Sequence, residues 1–111
     1  DGAVTDAERE LLARRAEFVA ALEAAPDRDL IAAVWQTIQE GQEFDRQRFP
    51  PGAPPLTPEE LDRYTYLVAG CVGDFWTKIC ARRLPGFARV PEAVMAERGI
   101  AYGQGLQLVN I

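Results

Sequence analysis

The sequence predicts an all-α chain, and three observations carry that expectation. Two helix-start patterns precede apolar residues that recur every three or four positions. The breaks between these stretches are marked by proline and glycine. No segment alternates apolar and polar residues as a half-buried strand would, and no internal repeat or low-complexity tract is present.

Thr5 with Glu8 three positions later is a capping-box pattern, and Leu11, Leu12, Phe18, Val19 and Leu22 follow at roughly helical spacing up to Pro26. A first helix is expected over about 6–24. A second opens near Asp27, where Leu30, Ile31, Val34, Trp35 and Ile38 form an amphipathic stripe that continues past Gly41 to Phe44. Residues Phe49-Pro50-Pro51-Gly52-Ala53-Pro54-Pro55 are then a loop, because each proline removes a backbone donor and biases the preceding residue away from helix. Thr57-Pro58-Glu59-Glu60 combines an N-cap hydroxyl, a proline at the first helical position and a glutamate at the third, so a long third helix is expected over about 58–83. After Leu84-Pro85-Gly86, Pro91 starts a fourth helix that runs to the end of the chain. Gly99, Gly103 and Gly105 each cost it about 1 kcal/mol relative to alanine and call for a packing reason.

With 111 residues, 48% of them hydrophobic, the chain has the size of one domain. Its net charge of −5 opposes non-specific attraction to nucleic acid or to an anionic membrane surface. The absence of histidine removes imidazole-based metal binding, proton shuttling and Ser-His catalysis. Cys71 and Cys80 lie on one expected helix, about 13.5 Å apart along its axis and on opposite faces, beyond the reach of a disulfide. A reduced, cytoplasmic setting is expected. No apolar run reaches the ~18 residues of a membrane span, and the first residue is Asp1, from which the chain is expected to be an internal piece of a longer protein.

On the third helix, Leu61, Tyr64, Val68, Val72, Phe75 and Ile79 follow three- and four-residue steps, while Tyr66, Gly70, Gly73 and Thr77 form a neighbouring face of mostly small residues. By periodicity alone this is a core helix whose glycines let another helix approach, and the pattern names no ligand. The local string Tyr64-Thr65-Tyr66-Leu67-Val68-Ala69-Gly70-Cys71-Val72-Gly73 resembles the Tyr-x-x-x-Val-Ala-Gly-x-Val-Gly signature of squalene and phytoene synthases. The final segment, Gly105-Leu106-Gln107-Leu108-Val109-Asn110-Ile111, is similar to the Ala-Leu-Gln-Leu-Thr-Asn-Ile segment of the same family. Gly41 followed by Phe44 is a weaker match to that family's Gly-Met-containing helix, with Gln42 where methionine is common.

The resemblance implies an all-α helical bundle of the class I isoprenoid synthase fold, with residues 1–111 a single helical segment of a larger prenyl synthase domain. It implies head-to-head joining of two prenyl diphosphates through an allylic cation and a cyclopropyl intermediate, with Mg²⁺ drawing off diphosphate. It further implies that Tyr64 is catalytic, facing the cation and assisting proton transfer or diphosphate departure. Val68, Ala69, Val72 and Gly73 are expected to line the prenyl cavity, Gly73 by leaving room for the chain. Gln107 and Asn110 share a helix face with Gly103 and are too polar to bury unpartnered. By resemblance they point to the diphosphate region, Gln107 as a substrate-binding residue and Asn110 as the residue nearest the metal.

The sequence departs from the family in one respect: no two of its aspartates have the four-residue spacing of the metal-binding motifs. The Mg²⁺ ligands are therefore expected outside this chain, which is expected to be inactive alone. The leading expectation is a squalene synthase-like farnesyltransferase, with NADPH used if the product is squalene. Phytoene synthase acting on geranylgeranyl diphosphate is the alternative of the same class. A non-catalytic helical interaction module is the alternative of a different class, and aspartate motifs in the flanking gene sequence would exclude it. The expected partners are a prenyl diphosphate, the remainder of the parent enzyme and, given an apolar product, a membrane surface at its periphery, but not nucleic acid.

Overall fold

The computed structural model describes residues 4–111, which are helical throughout apart from turns and loops. Helix α1 spans Asp6–Ala13, α2 Arg15–Ala24 and α3 Arg28–Arg48. Helix α4 spans Pro58–Thr65 and runs through a π-helical segment, Tyr66–Gly70, into α5, Cys71–Arg83; α6 is Glu92–Asn110. The all-α expectation is met, and both capping boxes form as the sequence predicts, Thr5 with Glu8 and Thr57 with Glu60.

Three boundaries differ from expectation. The helix expected over 6–24 breaks at Arg14, whose backbone N–H is shared between the carbonyls of Glu10 and Leu11. Almost every residue of α1 and α2 is exposed, so no buried face selects a straight helix over a broken one. Helix α3 runs four residues past Phe44 to Arg48, whose side chain gives the extension a tertiary anchor. Its guanidinium donates to both carboxylate oxygens of Glu60, at 2.6 and 3.1 Å, and to the carbonyls of Pro54 and Pro55. The proline-rich loop is thus strapped to both helices that it connects. Pro91 is the N-cap of α6 and Glu92 its first helical residue.

The long helix 58–83 is continuous but not uniformly α. Over Tyr66–Gly70 the backbone widens to π geometry, and the Cys71 N–H reaches back to the carbonyl of Tyr66. A π turn rotates the residues after it relative to those before it. The deepest residues on this helix are Thr65, Leu67, Gly70, Cys71 and Thr77, whereas Leu61, Tyr64, Val68, Val72, Phe75 and Ile79 are half-buried.

Helix α6 packs antiparallel on the π segment and α5 at backbone distance. A Cβ added to Gly103 would lie 2.5 Å from the Ala69 carbonyl, and one added to Gly99 would lie 2.8 Å from the Gly73 carbonyl. This supplies the packing reason for Gly99 and Gly103, whereas Gly105 meets nothing within 4 Å. On the other side α3 approaches less closely, with a Cβ added to Gly41 lying 3.0 Å from the Val68 side chain and 3.2 Å from the Leu67 carbonyl. The α3 start is tied to the α5 end by Asp27 and Asp29, which accept from Arg82 and Arg83. These guanidiniums hold both carboxyls below the usual carboxylate range.

The result is a flat body of 49 × 41 × 19 Å. Much apolar surface stays open on its faces, Trp35, Trp76, Tyr102 and Leu106 among it. Among the described residues, no helix is long and apolar enough to cross a membrane.

Candidate functional site

The antiparallel pairing of α5 and α6 leaves an open cavity of about 700 Å³ along one side of the seam. Its α5 wall is Val68, Ala69, Val72, Gly73 and Trp76, a stripe at steps of three and four. Its α6 wall is Tyr102, Gly103, Leu106, Gln107, Val109 and Asn110. The structure therefore brings Val68, Ala69, Val72, Gly73, Gln107 and Asn110 together on one cavity. Tyr64 is not among the lining residues.

Tyr64 stands at the end of α4, with its ring 5.9 Å from Phe44 and 5.6 Å from Phe49, centroid to centroid. Phe44 and Phe49 meet edge-on in turn, so three aromatic rings from α3, the loop start and α4 form one cluster. The Tyr64 hydroxyl donates to the Asp45 carboxylate at 3.5 Å. Burial, and then the negative charge of Asp45, push the phenol above its ordinary value near 10. Tyr64 is thus a neutral hydrogen-bond donor at pH 7.

Gly73 plays a different part from the one expected. The space its missing side chain leaves is taken by the backbone of Gly99, so the glycine serves the helix contact while its exposed edge lines the cavity. Trp76, Tyr102, Leu106 and Val109 belong to the wall although sequence reasoning did not single them out. Trp76 was within reach of it, lying four residues after Val72 and eight after Val68. The α6 residues could be assigned only once the register against α5 was known.

Gln104 was also missed. From α6 its amide donates to the Asp62 carbonyl at 3.0 Å and lies 3.3 Å from both Asp62 Oδ1 and Thr65 Oγ1. Thr65 is 2% exposed and itself donates to the Asp62 carbonyl. This network ties α6 to the turn at which α4 gives way to the π segment, on either side of Tyr64.

The cavity is apolar along its length and polar at the end marked by Gln107 and Asn110. Among the described residues, no charged side chain lines it. Four cations are committed to carboxylates elsewhere in the fold: Lys78 to Asp74 at 2.7 Å, Arg48 to Glu60, and Arg82 and Arg83 to Asp27 and Asp29. Among the described residues, no three His, Cys, Asp or Glu side chains assemble into a group that could hold a metal ion. Asn110 offers one neutral oxygen where Mg²⁺ takes several hard ligands, so these residues do not by themselves fit a Mg²⁺ site. The Cys71 thiol, buried and donating to the Leu67 carbonyl at 3.3 Å, is pushed up by burial and is a packing group rather than a nucleophile. Cys71 and Cys80 are both free.

No curated protein and no solved structure matches the chain. A sequence model of squalene/phytoene synthase matches residues 2–111, nearly the whole chain, and so takes in both walls of the cavity, the Tyr64 cluster and the π segment. By that match the chain belongs to the squalene/phytoene synthase family, whose members join prenyl diphosphates head to head on an all-α isoprenoid synthase fold.

Proposed function

We propose that this chain supplies the hydrocarbon wall of a squalene synthase-like enzyme, and that its α5–α6 cavity receives a farnesyl chain. The observation that carries the reading is the cavity's composition: valine, alanine, leucine and aromatic side chains along its length, with Gln107 and Asn110 at one end. A cavity lined this way holds an allylic cation among groups that neither hydrate nor trap it, and presents neutral hydrogen-bonding groups toward the diphosphate end. Tyr64, outside the lining, is assigned the catalytic role of a neutral phenol that donates a hydrogen bond or its proton as diphosphate departs.

The metal belongs elsewhere in this reading. Mg²⁺, for which the described residues assemble no ligand cluster, is assigned to ligands outside the 111 residues, with Asn110 beside them. The open apolar faces support a larger domain that completes the cavity. The proposed partners are a prenyl diphosphate, the remainder of the enzyme and a membrane surface that takes up the product. NADPH is assigned to the reductive step of squalene formation, and the proposed setting is cytoplasmic.

The test is made in the full-length enzyme with Val72→Trp and Leu106→Trp, which fill the cavity from opposite walls. Each is expected to lower turnover of farnesyl diphosphate by roughly a hundredfold through misplacement of the reacting chain. Unchanged turnover in both variants would sink the reading. Product analysis with farnesyl and geranylgeranyl diphosphates separates squalene-type from phytoene-type chemistry.

A further inference from the structure

The geometry points to Trp76 as the residue that closes the far end of this cavity and limits the enzyme to the shorter, fifteen-carbon prenyl chain. This inference rests on the prenyl reading of the cavity given above.

The α5–α6 register sets the argument. The Ala69 carbonyl lies against Gly103 and the Gly73 carbonyl against Gly99, matching four-residue steps on antiparallel helices. Continuing the same step puts Gln107 near the level of Thr65 and Asn110 near that of Asp62. Trp76 lies in the opposite direction, past Gly73 and beyond the level of Gly99. Order along the seam is therefore Asn110, Gln107, Val68, Val72 and then Trp76. From the polar end to the indole the helix axis spans about 20 Å, at 1.5 Å per residue. A diphosphate placed at Gln107 and Asn110 has Leu106, Val68, Tyr102 and Val72 lining the way toward Trp76, and its hydrocarbon tail runs along them.

Trp76 is the bulkiest side chain in the lining and the last of its stripe. It is 58% exposed, so core packing within this chain does not account for an indole at this position. It is nevertheless oriented: the Phe75 ring, half-buried on the α3 side, meets the indole edge-on at 5.4 Å. A large flat group held by a neighbouring ring is suited to stop a chain at a fixed length, since one more isoprene unit adds five carbons that an indole leaves no room for.

The experiment measures kcat/KM of the full-length enzyme for farnesyl and geranylgeranyl diphosphates in wild type, Trp76→Ala, Trp76→Leu and Trp76→Phe, with Leu106→Trp as the cavity control. The ratio of geranylgeranyl to farnesyl turnover is expected to rise tenfold or more in Trp76→Ala and Trp76→Leu, with longer products formed, and to stay near wild type in Trp76→Phe. If Trp76→Ala fails to fold by far-ultraviolet circular dichroism, Trp76→Leu decides. An unchanged ratio with Leu106→Trp still blocking both substrates overturns the role of Trp76 and leaves the cavity reading standing. Full activity of Leu106→Trp on both substrates overturns the two together. A wild-type enzyme that uses both substrates equally overturns the inference at once.

Discussion

Gly73 and Gly99 bring α5 and α6 together backbone to backbone, and a methyl group on Gly73 would overlap the Gly99 carbonyl. The seam that carries the cavity depends on this contact. Gly73→Ala is expected to destabilise the fold by about 1–3 kcal/mol, the cost of overpacking outweighing the gain in helix propensity. Gly105→Ala, with nothing within 4 Å of the added carbon, is expected to stabilise it by up to about 1 kcal/mol. Urea unfolding of the two variants followed by circular dichroism checks the opposite signs.

Glu60 receives the Arg48 guanidinium and the Thr57 backbone N–H, which bring its carboxyl down from an ordinary 4.5 to about 2. A carboxyl depressed in the folded state contributes stability that is present above its unfolded value and lost as pH falls through the folded one. Glu60→Gln is therefore expected to be less stable than wild type at pH 7, with the difference shrinking from about pH 4.5 to pH 2. Unfolding midpoints of both proteins across that window test it, and a constant difference would show that Glu60 acts by packing instead.

The Tyr64 phenol is held above its ordinary value by burial and by Asp45. In Asp45→Asn the charge is gone while burial stays, so the phenol is expected to titrate at lower pH than in wild type but still above the ordinary value. Tyrosinate absorbance in a Tyr66→Phe, Tyr102→Phe background reads Tyr64 alone, and an upward shift would contradict the Asp45 contact.

Gln104→Ala removes the amide that ties α6 to Asp62 and Thr65. The expected loss is about 1–2 kcal/mol, for an interaction made at a buried hydroxyl. Hydrogen exchange should quicken first at the α4 end and the π segment, before the α5–α6 glycine seam opens. Uniform quickening would mean that Gln104 does not act locally.

The isolated 111-residue chain is expected to show no Mg²⁺-dependent turnover of farnesyl diphosphate, because its described residues do not assemble a metal site. Product formation by this chain in a radiolabelled-substrate assay would contradict that expectation and the placement of the metal ligands outside it.

What the sequence determined by itself was local. Thr57-Pro58-Glu59-Glu60 started a helix because a hydroxyl, a fixed φ and a carboxylate satisfy orphan N–H groups without any tertiary partner. The string Tyr64–Gly73 and the segment Gly105–Ile111 carried the family, since the identity and order of side chains are properties of the chain alone. The tertiary structure decided which helices face each other and in what register. Helix α6 supplies half of the cavity only because Gly99 and Gly103 let it lie at backbone distance from Gly73 and Ala69. The π turn at Tyr66–Gly70 leaves no mark in the apolar periodicity, and long-range contacts of Gln104 and Arg48 fix α6 and the proline-rich loop against α4. Such features depend on distances between residues remote in sequence, which no local pattern of hydrophobicity or propensity encodes.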